Sequence, residues 1–151
     1  MPETLRFTVR RVTPSDQTEW LRMRRLLWPE GQADDPSQEM ASIVTDPRTP
    51  VFVAERAEGG LGGFLEAGTR PYADGCDTSP VGYIEGWFVD EDLRQHGVGR
   101  ALVEAAERWA RGLGLHEMAS DAFITNETSL KAHQALGYKD TERLIHFAKV
   151  L

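Results

Sequence analysis

Val89-Asp90-Glu91-Asp92-Leu93-Arg94-Gln95-His96-Gly97-Val98-Gly99-Arg100-Ala101-Leu102-Val103 reads as the end of a strand, a tight loop and the start of an amphipathic helix. Gly97 and Gly99 remove side chains where backbone must approach a ligand, and successive amides at a helix start favour a bound anion such as a diphosphate. Arg94 and Arg100 flank the loop with fixed positive charge.

The spacing excludes two familiar phosphate loops. A Walker loop needs Lys and then Ser or Thr after its last glycine, but Gly99 is followed by Arg100-Ala101. A dinucleotide fingerprint needs Gly or Ala three residues after the second glycine, where Leu102 stands. On these residues alone, a glycine loop that merely caps a helix fits as well as a ligand loop.

A chain of 151 residues buries one core, so a single domain over 1–151 is expected. The N-terminal stretch lacks the apolar core of a signal peptide. No run approaches the ~18 apolar residues of a membrane span, so no membrane partner and a cytoplasmic location are expected. Cys76 is the only cysteine, which rules out an intrachain disulfide and a thiolate metal cluster. The net charge of −7 is uneven: between Trp28 and Asp92 there are 14 acidic residues against three arginines, a net −11. That asymmetry argues against nucleic acid and for a cationic small molecule or basic peptide, although acidic surfaces also serve solubility alone.

Leu5 to Val12 alternates apolar and polar residues as a half-buried strand does. Thr13-Pro14 opens a helix with Asp16 placed for a capping box, and the helix stops at Trp28 because Pro29 follows. Gly31 to Pro36 is an acidic loop, and Ser37 to Val44 a second helix. Val51 to Glu55 and Leu61 to Thr69 are strands joined through Glu58-Gly59-Gly60. Val81 to Val89 is a third, with Gly86 marking a bulge or a close backbone approach. A helix of about four turns follows the loop, with Ala101, Leu102, Ala105, Trp109 and Leu113 inward. Leu115 to Ala122 is a strand, Ser129 to Leu136 a helix, and Tyr138 to Val150 a terminal strand or pair.

The loop Arg94-x-x-Gly97-x-Gly99 resembles the coenzyme A pyrophosphate loop of the GCN5-related N-acetyltransferases. A second segment, Asn126-x-x-Ser129-Leu130-x-x-His133-x-x-x-Gly137-Tyr138, resembles their C-terminal motif, and the order β-α-α-β-β-β-α-β-α-β is that of their mixed-sheet α/β fold. Within the superfamily the chain resembles the aminoglycoside 6'-N-acetyltransferases. The resembling segments are Arg25 to Pro29, Thr78 to Val81, Glu85 to Val89, Ala119 to Ala122, His133 to Gly137 and Thr141 to Arg143.

The resemblance implies acetyl coenzyme A as co-substrate and an aminoglycoside as acceptor. It implies that Trp87, Phe88 and Val89 offer backbone groups to the pantetheine arm and that Gln95, His96, Gly97, Val98, Gly99 and Arg100 hold the pyrophosphate. Asn126 then bonds the arm from the far side. It further implies that Trp28, Tyr72, Glu85, Asp121 and Glu142 contact the drug, and that the protein is a homodimer joined through its C-terminal strands. Carboxylates suit a polycation and aromatic rings suit sugar faces. Glu85 and Asp121 also interrupt otherwise apolar strands, where a carboxylate is costly unless paired or functional.

Acetyl transfer needs a neutral amine, a polarised thioester carbonyl and a proton for the leaving thiolate. Glu85, and after it Asp121, are the candidate bases, and a backbone N–H near Phe88 or Val89 the candidate oxyanion donor. His133 stands where the superfamily has a tyrosine acting as general acid; a histidine that only hydrogen-bonds or lines the channel fits equally. Direct attack without a covalent enzyme intermediate is expected, with no metal. The competing readings are a polyamine or protein N-terminus acetyltransferase and a non-catalytic coenzyme A sensor.

Overall fold

The computed structural model describes residues 6–31 and 35–151; the predicted strand start at Leu5 and the middle of the acidic loop lie outside them. Its elements are β1 (Phe7–Arg11), a 3-10 turn (Pro14–Asp16) leading into α1 (Gln17–Leu27), α2 (Ser37–Thr45), β2 (Val51–Arg56), β3 (Leu61–Arg70) and β4 (Val81–Val89). A second 3-10 turn (Glu91–Leu93), α3 (Val98–Gly112), β5 (Met118–Ser120) and α4 (Glu127–Ala135) follow. The five strands form one sheet in the order β1-β2-β3-β4-β5, antiparallel throughout except for the parallel pair β4–β5.

Alternation along the strands divides the core between two layers of helices. On β2, Phe52 and Ala54 face Leu102, Val98 and Ala106 of α3, while Val51 and Val53 face Trp20 and Met23 of α1 and Met40 of α2. With both faces covered, β2 reads as a continuous apolar run. Trp20, Met23, Met40, Phe64, Leu65 and Leu102 are all at most 1% exposed. Burial of such side chains contributes roughly 1.5–3 kcal/mol each. The start of α1 is fixed by Asp16, whose carboxylate accepts from the Thr13 N–H at 2.8 Å and pairs with Arg10 at 2.7 Å.

The mixed-sheet α/β architecture and the order of elements through α4 match the sequence reading. The C-terminal part differs. The predicted strand over 115–122 shrinks to three residues, and the terminal strand over 138–150 does not form. Beyond Tyr138 the chain has no ladder partner among the described residues, and Leu144, Ile145 and Phe147 are 61%, 80% and 90% exposed. A strand exists only where another strand answers its N–H and C=O groups, and the described residues offer none to the segment.

Candidate functional site

The site is built where β4 and β5 part. Their parallel pairing runs only from Gly82↔Met118 to Ile84↔Ser120. Immediately afterwards β4 bulges: Ile84 pairs with Ala67 and Gly86 with Glu66, so Glu85 is the extra residue. The bulge foreseen at Gly86 is present, and it is also a close approach, because a Cβ at 86 would fall on the Trp28 indole.

Past the bulge one edge of β4 stays open. The Asp90 N–H donates to the Gly62 carbonyl at 2.8 Å, so ladder alternation turns the N–H and C=O of Phe88 toward β3 and those of Trp87 and Val89 toward the open edge. The Arg94 Nε donates to the Val89 carbonyl at 3.0 Å, which turns that guanidinium back along the strand and away from the glycine loop. In the loop, Gln95 and Gly97 take left-handed φ of 65° and 85°, and no side chain caps Gly97 at the start of α3. The first-turn amides of a helix have no intrahelical acceptor and face an incoming anion. Gly99 has a second reason to be glycine: its Cβ would stand 3.1 Å from Trp87 Cζ2, so the helix packs directly on the indole. The open edge and the uncapped helix start have the chemistry to receive an extended chain and an anion. The Arg100 guanidinium points to the end of α4, donating to the Ala135 carbonyl at 3.4 Å.

One face of the sheet brings together three of the predicted acceptor residues, Glu85, Asp121 and Trp28, while Tyr72 and Glu142 lie at a neighbouring loop. Glu85 is exposed, turned out by the bulge, and receives two bonds from Arg70 at 3.0 and 2.8 Å. Arg70 stacks on the Tyr83 ring at 3.5 Å, and the Tyr83 hydroxyl donates to Asp121 at 2.6 Å, just past the end of β5. Burial, and then that bond, push the Tyr83 hydroxyl well above the ordinary phenol range, which keeps it a donor. Glu85 and Asp121 therefore border one cationic, aromatic bridge. Glu85 interrupts the buried run of β4 as the sequence suggests, turned out by the bulge, whereas Asp121 lies past the end of β5; both are exposed, and the pairing with Arg70 and Tyr83 accounts for them. Trp28 ends α1 above Gly86, edge-on to Phe64 at 6.2 Å. Tyr72 is exposed beside Asp74, to which its hydroxyl donates at 3.0 Å. That bond, with Glu142 adding to it, raises the phenol, so Glu142 lies near the same loop. Thr141 packs on Gly75 there.

Behind the slot stands His133. Its Nδ1 lies 2.7 Å from the Ser129 carbonyl, which only accepts; Nδ1 therefore carries the proton, and Nε2 accepts from the Ser120 hydroxyl at 2.8 Å. The ring is edge-on to Trp87 at 5.1 Å and to Tyr138 at 5.9 Å. Asn126 caps α4, its side-chain oxygen accepting from the Ser129 N–H at 3.1 Å, which leaves the amide NH2 for a ligand.

Four residues of this region escape the sequence reading: Arg70, Ser120, Arg24 and Glu66. Glu66 shares its face of β3 with Phe64, is 6% exposed, and lies against Arg24, itself 5% exposed. Burial pushes its carboxyl up to about 7, against the opposing pull of Arg24. The signal was available, since Glu66 interrupts an apolar strand more completely than Glu85 does. Among the described residues no group of three or more His, Cys, Asp or Glu is placed to hold a metal, and no helix is long and apolar enough to cross a membrane.

Residues 18–138 match the family model described as acetyltransferase (GNAT) family. The chain is 40% identical over 141 residues to the aminoglycoside N(6')-acetyltransferase type 1 of Stenotrophomonas maltophilia, covering 93% of this chain and 91% of the relative. It is 40% identical over 146 residues to that of Klebsiella aerogenes, covering 95% and 96%. The crystal structure of the aminoglycoside 6'-N-acetyltransferase AAC(6')-Ih from Acinetobacter baumannii superposes with a TM-score of 0.89 at 35% identity, over 97% of this chain and 99% of that one. AAC(6')-Iy in complex with the bisubstrate analogue CoA-S-monomethyl-acetylneamine gives 0.88 at 38% identity, over 97% and 99%. With the parted strands, the glycine loop and this similarity along nearly its whole length, the chain belongs to the acetyltransferase (GNAT) family, among the relatives of the aminoglycoside N(6')-acetyltransferases.

Proposed function

We propose that this chain transfers the acetyl group of acetyl coenzyme A to the 6'-amino group of aminoglycosides, and so confers resistance to them. The observation that carries the reading is the slot itself: β4 and β5 separate at the Glu85 bulge, with Glu85 and Asp121 on one face and the glycine loop at the end of the open edge. The relatives, all named for aminoglycoside acetylation, support the acceptor class.

Bound acetyl coenzyme A supplies an activated thioester. The chain's own residues supply the rest. The backbone of Trp87 and Val89 and the amide of Asn126 hold the arm extended, while Gln95, His96, Gly97, Val98, Gly99 and Arg100 hold the diphosphate; Phe88 packs between α1 and the sheet. The free N–H of Val89 is the donor available to polarise the carbonyl. Trp28 and Tyr72 offer ring faces to the sugars, and Glu85, Asp121 and Glu142 attract the ammonium groups. An aliphatic ammonium must lose a proton before it attacks, and Glu85, with Asp121 second, accepts it directly or through water. To supply a proton toward the departing sulfur, His133 must first take one on Nε2 and become an imidazolium; Nε2–H then donates to the Ser120 hydroxyl, which passes its own proton on. We further infer a single domain, a cytoplasmic site of action, where acetyl coenzyme A is made, and a homodimer in which a second copy covers the exposed C-terminal segment.

A thiol-release assay with acetyl coenzyme A against kanamycin, spermidine and a peptide tests the substrate. Kanamycin is expected to be preferred. Asp121→Asn and Glu142→Gln should each lower kcat/KM for kanamycin by about ten- to a hundredfold, the weight of one charge-assisted hydrogen bond, with the KM for the coenzyme unchanged. Glu85→Gln should additionally depress kcat. A preference for spermidine, or three variants as active as the parent, overturns the aminoglycoside reading and leaves the family in place.

A further inference from the structure

Glu66 and Arg24 form a buried pair that the proposed chemistry does not use. Arg24 Nη1 stands 3.5 Å from Glu66 Oε1, with the two side chains 6% and 8% exposed. Neither of those atoms, nor Arg24 Nε, has a hydrogen-bond partner among the described residues. The remaining Arg24 nitrogen reaches Glu39 of α2 at 3.3 Å. Such a pair is a poor device for stability, because desolvating two charges costs about as much as their attraction returns, and apolar replacements of similar volume often do better. Its surroundings give it another meaning. Glu66 is the register partner of Gly86 in the β4 bulge, and its Oε2 lies 3.4 Å from where a Cβ at Gly86 would stand. On that glycine rests the Trp28 indole, and the Arg24 guanidinium lies over the same indole at 5.3 Å and over Trp20 at 5.7 Å.

We propose that Glu66 is a positioning residue for the acceptor: through Arg24 it fixes the Trp28 indole over the Gly86 bulge, and so sets the affinity for the sugar that packs on that ring. The inference rests on the reading of Trp28 as part of the acceptor site. The charged groups that face Glu66 are Arg24 from α1, Glu39 from α2 and Glu85 from β4. Only Arg24 favours the ionised carboxylate. Protonation weakens its hold on Arg24 and loosens the indole, and a polycation bound at Glu85 cancels one of the two opposing charges. Acceptor binding and ionisation of Glu66 thus favour each other.

The test compares the KM for kanamycin of Glu66→Gln with that of the wild type at several pH values. Titration of the drug's own amines cancels in the ratio. The ratio is expected near one at pH 5.5, where the wild-type carboxyl is protonated as the amide mimics, and to rise several-fold by pH 8.5, with the KM for acetyl coenzyme A unmoved throughout. In a Trp28→Ala background the same substitution should have no effect on the KM for kanamycin. A second variant, Arg24→Met with Glu66→Leu, removes both charges at similar volume; it should melt no lower than the wild type and still bind kanamycin several-fold more weakly. A ratio independent of pH, an undiminished Glu66→Gln effect without Trp28, or a folded apolar pair with wild-type KM would each overturn the inference. If Trp28→Ala by itself leaves the KM for kanamycin unchanged, the placement of Trp28 at the acceptor fails, and the inference with it.

Discussion

Single residues carry the chemistry, and their partners decide what they can do. His133 has both ring nitrogens engaged, one donating to Ser129 and one accepting from Ser120, and its ring fills the space between Trp87 and Tyr138. His133→Ala should therefore lower turnover modestly, by several-fold, with the apparent affinity for the coenzyme roughly kept; unchanged turnover in the thiol-release assay would show that the proton comes from elsewhere. Asp16 shows the opposite electrostatic situation to Glu66. Its bonds from Arg10 lower its carboxyl to about 2, against a usual value of 3.8. A depressed carboxyl stabilises the fold above its unfolded pKa, and that stability is lost as pH falls through the folded one. The loss thus falls between about pH 4 and pH 2 and amounts to about 2 kcal/mol. Urea titrations should show it in the wild type and not in Asp16→Asn. Glu66, raised by burial, has the reverse sign: its ionisation weakens the fold as pH climbs from near 4.5 toward 7. At this scale the sequence was legible where backbone alone decides, as at Gly97, with its left-handed φ, and at Gly99, packed on Trp87. It was less legible where meaning depends on burial: Glu66 and Glu85 look alike in the sequence, and only the bulge sends one inward and the other out.

At the scale of elements the bulge in β4 is the decisive feature. It places Glu85 and Gly86 in succession toward the acceptor face and leaves a bare backbone on which Trp28 lies. Gly86→Ala puts a methyl group into the indole, an overpacking that costs typically 1–3 kcal/mol. The expected outcome is a melting temperature lower by several degrees together with a raised KM for the acceptor, while the KM for the coenzyme stays put. A melting temperature and acceptor KM like the wild type's would mean that the indole moves aside freely. Gly86 in an otherwise apolar run was a readable sign of this bulge, and the capped start at Thr13–Asp16 was equally readable, because both are local matters of backbone and one side chain. The length of β5 and the fate of the terminal segment were not. They depend on which strand lies alongside, and residues 139–151 have no such neighbour among the described residues.

On the scale of the whole molecule the C-terminal segment leaves an apolar surface uncovered. Leu144, Ile145 and Phe147 stand in water on a segment that has no partner strand among the described residues, and Phe123 and Ile124, in the loop between β5 and α4, are 86% and 68% exposed. Unpaired apolar backbone of this kind is a template for a second chain. Sedimentation at micromolar concentration should show a dimer, and removal of residues 144–151 should give a monomer; a wild type that sediments as a monomer would refute the pairing. Within one copy, the glycine loop and the rear of the slot share volume. Gly99 rests on Trp87, Trp87 on His133 and His133 on Tyr138, so α3, β4 and α4 meet through four side-chain positions. A larger residue at 99 can be housed only where 87 gives up atoms, and a smaller one at 87 leaves 133 without its wall. These positions cannot mutate independently: their tolerated combinations form a block, and a change harmless in one relative becomes deleterious when transplanted alone into another.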